Sequence, residues 1–161
     1  MYSGTEIARA MGRMLARYAR ERAQTAGVAA NEVIEAGPLL AAWTPGAYVI
    51  GDVRTQDGVP WRCCQAHDST GQAGWGPGEA AALWAPYHGT DAAHALPWVQ
   101  PTGAHDMYKA GECMVWTDGG VYRCVSDTVY TPEQYAAAWE IVDGNAAGDT
   151  PAEETPVREG L

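Results

Sequence analysis

The sequence predicts an α+β fold, with an N-terminal amphipathic helix or helical hairpin followed by two small antiparallel β modules. Three observations carry that expectation. A cassette of aromatic, glycine and cysteine positions occurs twice; the first 26 residues repeat apolar positions at helical spacing; and from residue 43 onward, short alternating segments with glycine turns replace that spacing. The first cassette reads Trp43, Gly46, Tyr48, Gly51-Asp52, Gly58, Trp61-Arg62-Cys63, Trp75-Gly76-Pro77 and Leu83-Trp84. The second reads Trp98, Gly103, Tyr108, Gly111-Glu112, Gly119, Tyr122-Arg123-Cys124, Tyr130-Thr131-Pro132 and Ala138-Trp139.

The helical region comes first in the chain. Ser3 and Glu6 have the spacing of a capping box, and Thr25-Ala26-Gly27 provides a stop, so a helix is expected over 3–26. Ile7, Met11, Met14 and Tyr18 follow 4-3-4 steps, with Leu15 beside them, while Arg9, Arg13, Arg17 and Arg20 line another side. Such a helix needs a partner for its apolar stripe: the body of the same chain, a copy of itself, or another protein. Ala-rich flanks and an apolar side without Trp argue against a membrane-surface helix, and no run of 18 apolar residues offers a membrane span. A second short helix is expected from Asn31 to Gly37-Pro38. Residues 1–40 thus form a helical anchoring or oligomerisation region, carried by Ile7, Met11, Met14, Leu15 and Tyr18.

The modules follow. In the first, 41–88, Asp57-Gly58 joins Val53-Arg54-Thr55 to Pro60-Trp61-Arg62-Cys63; in the second, 98–142, Asp118-Gly119-Gly120 joins Cys113 through Thr117 to Val121 through Val125. Residues 89–97 read as a linker, and 143–161, rich in Gly, Pro and acids, as a disordered tail. Each cassette is about 45 residues, below the size at which an aliphatic core is comfortable, so the seven Trp and eight Tyr are expected to supply the buried area. Phe is absent. Every aromatic side chain therefore carries a polar group, which suits both a small core with edges near water and a sugar-facing surface.

Charge narrows the partners. Residues 1–26 hold Arg9, Arg13, Arg17, Arg20 and Arg22 against Glu6 and Glu21, a net +3; since the whole chain is −10, the remainder carries −13. Acidic modules exclude a nucleic-acid grip, which needs a basic footprint, and favour a neutral ligand. Cys63, Cys64, Cys113 and Cys124 lack the spacing of a metal site, with one another or with the four His, so neither metal nor cofactor is expected. Cys63 and Cys124 share a repeat position and read as small buried apolar residues on a strand; a Cys113–Cys124 bridge across the second hairpin is the alternative. The opening Met-Tyr-Ser-Gly-Thr-Glu lacks the features of a secretory signal, so lysis is the expected route out of a cell.

With these motifs in view, the chain resembles a known pattern. Tyr48-Val49-Ile50-Gly51-Asp52, Trp61-Arg62-Cys63, Gln65-Ala66-His67-Asp68-Ser69, Trp75-Gly76-Pro77 and Leu83-Trp84 resemble the small chitin-binding-type carbohydrate-binding module of families 5 and 12. More narrowly, they are similar to the variant in tail-region proteins of bacteriophages and prophages, where a helical N-terminus precedes the module. Pro97 through Asp106 is similar to the segment that introduces a degenerate second copy there. The resemblance spans about residues 30–142. The family's neighbouring aromatic pair after the second hairpin strand would fall near Gln65-Ala66-His67, where no such pair exists, so the resemblance implies the module without its chitin specificity.

Matched positions are expected to be structural: Trp43/Trp98, Trp84/Trp139 and Tyr48/Tyr108 in the core, Gly51/Gly111 at turns, and Asp52/Glu112 bonded to those turns. The candidate carbohydrate contacts are Trp61, His67, Trp75, Trp116 and Tyr130. Sugar rings present flat C–H faces that stack on indole or phenol rings. Trp116 aligns with the polar Gln56, and Trp75 sits in a glycine-rich loop with Tyr130 as its counterpart; packing between modules is the structural alternative for each. His67 has the further alternative of bonding its own loop backbone, as His105-Asp106 has of shaping a turn. Consecutive His67, Asp68 and Ser69 cannot converge as a catalytic triad, and a module this small offers no deep cleft, so no catalytic residue is expected. The expected function is a non-enzymatic bacteriophage virion protein at the tail tip or fibre. It would join other virion proteins through its N-terminal helix, form a homo-oligomer, with a trimer suiting a fibre, and touch bacterial cell-surface glycan. The alternative is a structural or decoration protein of head or tail whose modules mediate protein contacts.

Overall fold

A computed structural model describes residues 1–25 and 27–143. Helix α1, Gly4–Ala23, opens with the expected capping box: Ser3 Oγ accepts from the Glu6 amide, and Glu6 Oε2 accepts from the Ser3 amide at 2.7 Å. Helix α2 spans Ala30–Ala36 and runs into a 3-10 turn at Gly37–Leu39. Asn31 does not cap it. It lies inside the helix, because the chain enters at Ala29, and its carboxamide instead reaches 59 residues ahead: Nδ2 donates to Thr90 Oγ1 at 3.0 Å and Oδ1 accepts from the Thr90 amide at 2.9 Å.

Helix α1 docks through its small-residue side. Ala19 and Ala23 pack with Val33, Leu40 and Val53, and Val28, Ala36 and Tyr87 close the margin. Of the large apolar residues of the helix, all half to two-thirds exposed, Leu15 and Tyr18 border the groove between α1 and α2 beside Ala19, Ala23 and Val33, whereas Ile7, Met11 and Met14 lie nearer the N-terminus and outside that groove. The body of the chain is therefore the partner of the alanines, and of the apolar stripe it meets only the Leu15 and Tyr18 end.

The first module pairs β1, Ala47–Tyr48, antiparallel with β4, His67–Asp68, and builds a three-stranded sheet from β2, Val53–Gln56, β3, Val59–Cys63, and β5, Trp84–Pro86, with β3 central. Asp57 (φ 52°) and Gly58 (φ 79°) form the tight turn expected between β2 and β3. The second module repeats the plan: β7, Cys113–Val115, β8, Val121–Cys124, and β9, Trp139–Asp143, form an antiparallel sheet with β8 central.

The stretch expected as a linker is structured. Strand β6, Leu96–Pro97, adds to β7 in parallel, and the Gly89 carbonyl accepts from the Cys113 amide at 2.7 Å. His88 stacks on Tyr108 with centroids 3.8 Å apart and bonds Glu112 Oε2 through Nδ1 at 2.7 Å. Val99 packs against the first module's core of Tyr48, Trp61, Cys63 and Trp84, and His105 Nε2 meets the Ala81 carbonyl. The modules consequently share a seam. The tail expected over 143–161 lies outside the described residues from 144 onward.

Candidate functional site

One hydrogen-bond frame occurs twice and sorts structural from spare residues. The Gly51 and Gly111 amides donate to the Cys63 and Cys124 carbonyls, with φ of +93° and +96° that a side chain would strain. The Cys63 and Cys124 amides return bonds to the Asp52 and Glu112 carbonyls, and the two carboxylates accept from the Val49 and Lys109 amides at 2.9 Å. Trp43 and Trp98 donate their amides to Thr55 and Val115. Trp84 and Trp139 are buried, and each indole Nε1 donates at 3.1 Å to the carbonyl of the residue nine positions earlier, Trp75 and Tyr130. The matched positions are thus the skeleton, as expected.

All four cysteines are free thiols. Cys113 and Cys124 lie on neighbouring strands without bridging; Cys124 faces the Ser126 carbonyl at 3.1 Å, as Cys63 faces that of Gln65 at 3.2 Å. Burial pushes the Cys63, Cys113 and Cys124 thiols up, and burial does the same to the Tyr108 phenol. Among the described residues no cluster of His, Cys, Asp or Glu could hold a metal ion, and no helix is long and apolar enough to cross a membrane.

The five candidate contacts fall in different surroundings. Trp61 is a core residue of the first module, packed with Tyr48, Cys63 and Trp84. His67 donates Nδ1–H to the Gln65 carbonyl at 2.7 Å and lies edge-on to Trp84, so its ring shapes the loop. Trp116 is half-buried and T-shaped to Trp98 at 5.5 Å, joining the second module's aromatic cluster. Trp75 and Tyr130, in contrast, are 42% and 55% exposed. The buried tryptophan behind each holds its carbonyl, so the two loops present a ring outward in the same way. The sequence-predicted set does not converge on one site; its exposed members mark equivalent loops of the two modules.

Residues 42–85 match the model of carbohydrate-binding module family 5/12. The matched segment runs from the bridge of Ala42 to Thr55 through β5 and contains the Trp75 loop. The second module lies outside the match, although it keeps the same frame. No curated protein matches the chain.

Tyr135 and Gln134, which sequence reasoning missed, also lie on this surface. With Tyr130 they line an open depression of about 410 Å³. Their signal was present in the sequence: Tyr135 stands where the first cassette has Ala80, the same contrast that drew attention to Trp116 against Gln56. What the sequence lacked was exposure, which separates Tyr135 from the half-buried Trp116.

Proposed function

We propose that this chain is a non-enzymatic attachment protein of a bacteriophage particle, located at the tail tip or a fibre, whose modules bind glycan on the bacterial surface. The observation that carries the glycan part is the carbohydrate-binding-module match over 42–85, with its outward Trp75 on a loop locked by Trp84. A flat apolar ring held partly exposed at the surface suits the C–H face of a sugar. An acidic body suits a neutral polysaccharide. The phage context is supported by the residue pattern that resembles tail-region proteins, together with a helical segment whose large apolar side chains are at least half exposed. Several copies on one particle would raise weak single-site binding by multivalency.

The test combines the intact protein with bacterial cell-wall polysaccharide in a pull-down and with a neutral-glycan array. Retention that free polysaccharide competes away is the expected outcome. Failure of the protein to bind any glycan, whether as single chains or as multimerised copies, would leave the decoration-protein alternative, in which the modules meet other virion proteins. Labelled antibody on intact particles places the chain: signal at the tail supports attachment, and signal confined to the head overturns it.

A further inference from the structure

We propose that the second module carries its own glycan-binding platform, formed by Tyr130, Gln134 and Tyr135, and that this platform holds a neutral pyranose polymer more firmly than the Trp75 loop does. The inference rests on the glycan reading above and shifts its principal site to the copy outside the family match.

The two modules share one backbone arrangement at this loop. The Ala80 and Tyr135 amides donate to the Gly76 and Thr131 carbonyls at 3.0 and 2.9 Å, and the Ala80 and Tyr135 carbonyls accept from the Leu83 and Ala138 amides at 2.9 and 3.1 Å. The fold thus asks for this backbone and for no more side chain than a methyl, which in the first module Ala80 packs against the core. The ring of Tyr135 is surplus to the fold. It is 45% exposed and belongs to none of the three apolar clusters, and Tyr130, 55% exposed, belongs to none of them either. Two surplus rings on one short loop flank a depression whose remaining wall is Gln134.

The loop is also fixed before any ligand arrives. The Thr131 amide donates to Gln134 Oε1 and the Gln134 amide donates back to Thr131 Oγ1, both at 3.1 Å, while the Tyr130 amide donates to Thr128 Oγ1 at 3.0 Å. With Oε1 engaged, the Gln134 carboxamide is oriented, and its Nε2 has no hydrogen-bond partner among the described residues. That leaves two ring faces for stacking, a poised amide donor, and two phenol hydroxyls that can donate to or accept from sugar hydroxyls. Loop residues 130–135 hold one acid, Glu133, and no base, so a phosphate- or uronate-bearing polymer has nothing to pair with and a neutral one meets no penalty. The first module, with Glu79 and Ala80 at the corresponding positions, offers one ring.

The experiment uses the full chain and soluble neutral β-linked hexasaccharides of glucose, galactose and N-acetylglucosamine, titrated calorimetrically. Tyr135→Ala installs the residue the first module already uses there, so its fold is expected to be intact, and near-ultraviolet circular dichroism of the tryptophans checks this. For whichever hexasaccharide binds, Tyr135→Ala and Tyr130→Ala should each weaken affinity about tenfold. Tyr135→Phe should keep most of it, Gln134→Ala should lose a smaller factor, and Trp75→Ala should leave tight binding in place. If Trp75→Ala abolishes binding while Tyr130→Ala and Tyr135→Ala bind like the parent, the platform is overturned and the glycan reading survives through the first module. If the parent chain binds none of these probes and no cell-wall polysaccharide, both fall together.

Discussion

At the scale of single residues, the duplication works as an internal control. Trp84 with Trp139, and Asp52 with Glu112, make the same bond in two different surroundings, so that bond belongs to the fold. Gly89 has no such twin, and its constraint is steric. A Cβ there would lie 2.1 Å from the His94 carbonyl oxygen and 2.5 Å from its carbon, both backbone atoms that no side-chain rotation can move aside. The same glycine supplies the carbonyl that holds Cys113, so displacing it pulls on the seam between the modules. Gly89→Ala is expected to destabilise the chain by about 3 kcal/mol, at the upper end of overpacking costs, and chemical denaturation followed by tryptophan fluorescence measures it. A loss under about 0.5 kcal/mol would mean that the segment around His94 shifts freely and the seam is soft.

At the scale of elements, the helical arm is held to the body by two polar clamps beside the small apolar cluster. Asn31 grips Thr90 from α2, and His94 bonds Glu35 Oε1 through Nε2 at 2.6 Å and Asp91 Oδ1 through Nδ1 at 2.7 Å. The hydrogen bond to Glu35, then that to Asp91, raises the His94 pKa above its ordinary value; the bond from His94 lowers that of Asp91. A raised imidazole contributes stability that is complete below about pH 6.5 and vanishes as pH climbs through its folded pKa. A depressed carboxyl contributes stability that is complete above about pH 4 and vanishes as pH falls through its own. The clamp is therefore firmest between those limits. Hydrogen exchange of the α2 amides should quicken from pH 6 to pH 8 beyond the intrinsic pH effect, and His94→Gln should remove that excess; equal excess in both proteins sinks the idea. None of this clamp was legible in the sequence, since Asn31 reads locally as a cap and His94 as one of four scattered histidines, and long-range pairing leaves no periodic trace. The capping box of α1 and the hairpin turns were legible because their determinants lie within a few residues. The platform was half legible: Tyr130 emerged by its match to Trp75, whereas Tyr135 needed the knowledge of which rings the core had already used.

At the scale of the whole molecule, the chain is polarised between a basic, apolar-striped helix and an acidic aromatic body. Among the described residues α1 is fastened at its C-terminal end, through Ala19 and Ala23, so Ile7, Met11, Met14 and Tyr18 stand at least half exposed, with Arg9, Arg13, Arg17 and Arg20 on another side. The 4-3-4 spacing is that of a coiled-coil seam two heptads long, too short to associate strongly by itself and well placed to do so when many copies are gathered on a particle. Self-association through this seam, part of the proposed attachment function, brings arginine-bearing helices together, so it should strengthen as salt screens their repulsion. The decisive variant is the double substitution Met11→Glu and Met14→Glu. Both side chains are exposed and touch no core cluster, so unfolding free energy should stay within about 0.5 kcal/mol of the parent. Sedimentation velocity at rising concentration and salt should reveal oligomers in the parent and monomers in the variant. A parent that stays monomeric throughout would assign the stripe to a different virion protein, while oligomers that survive the double substitution would place the contact on the modules and revive the decoration role.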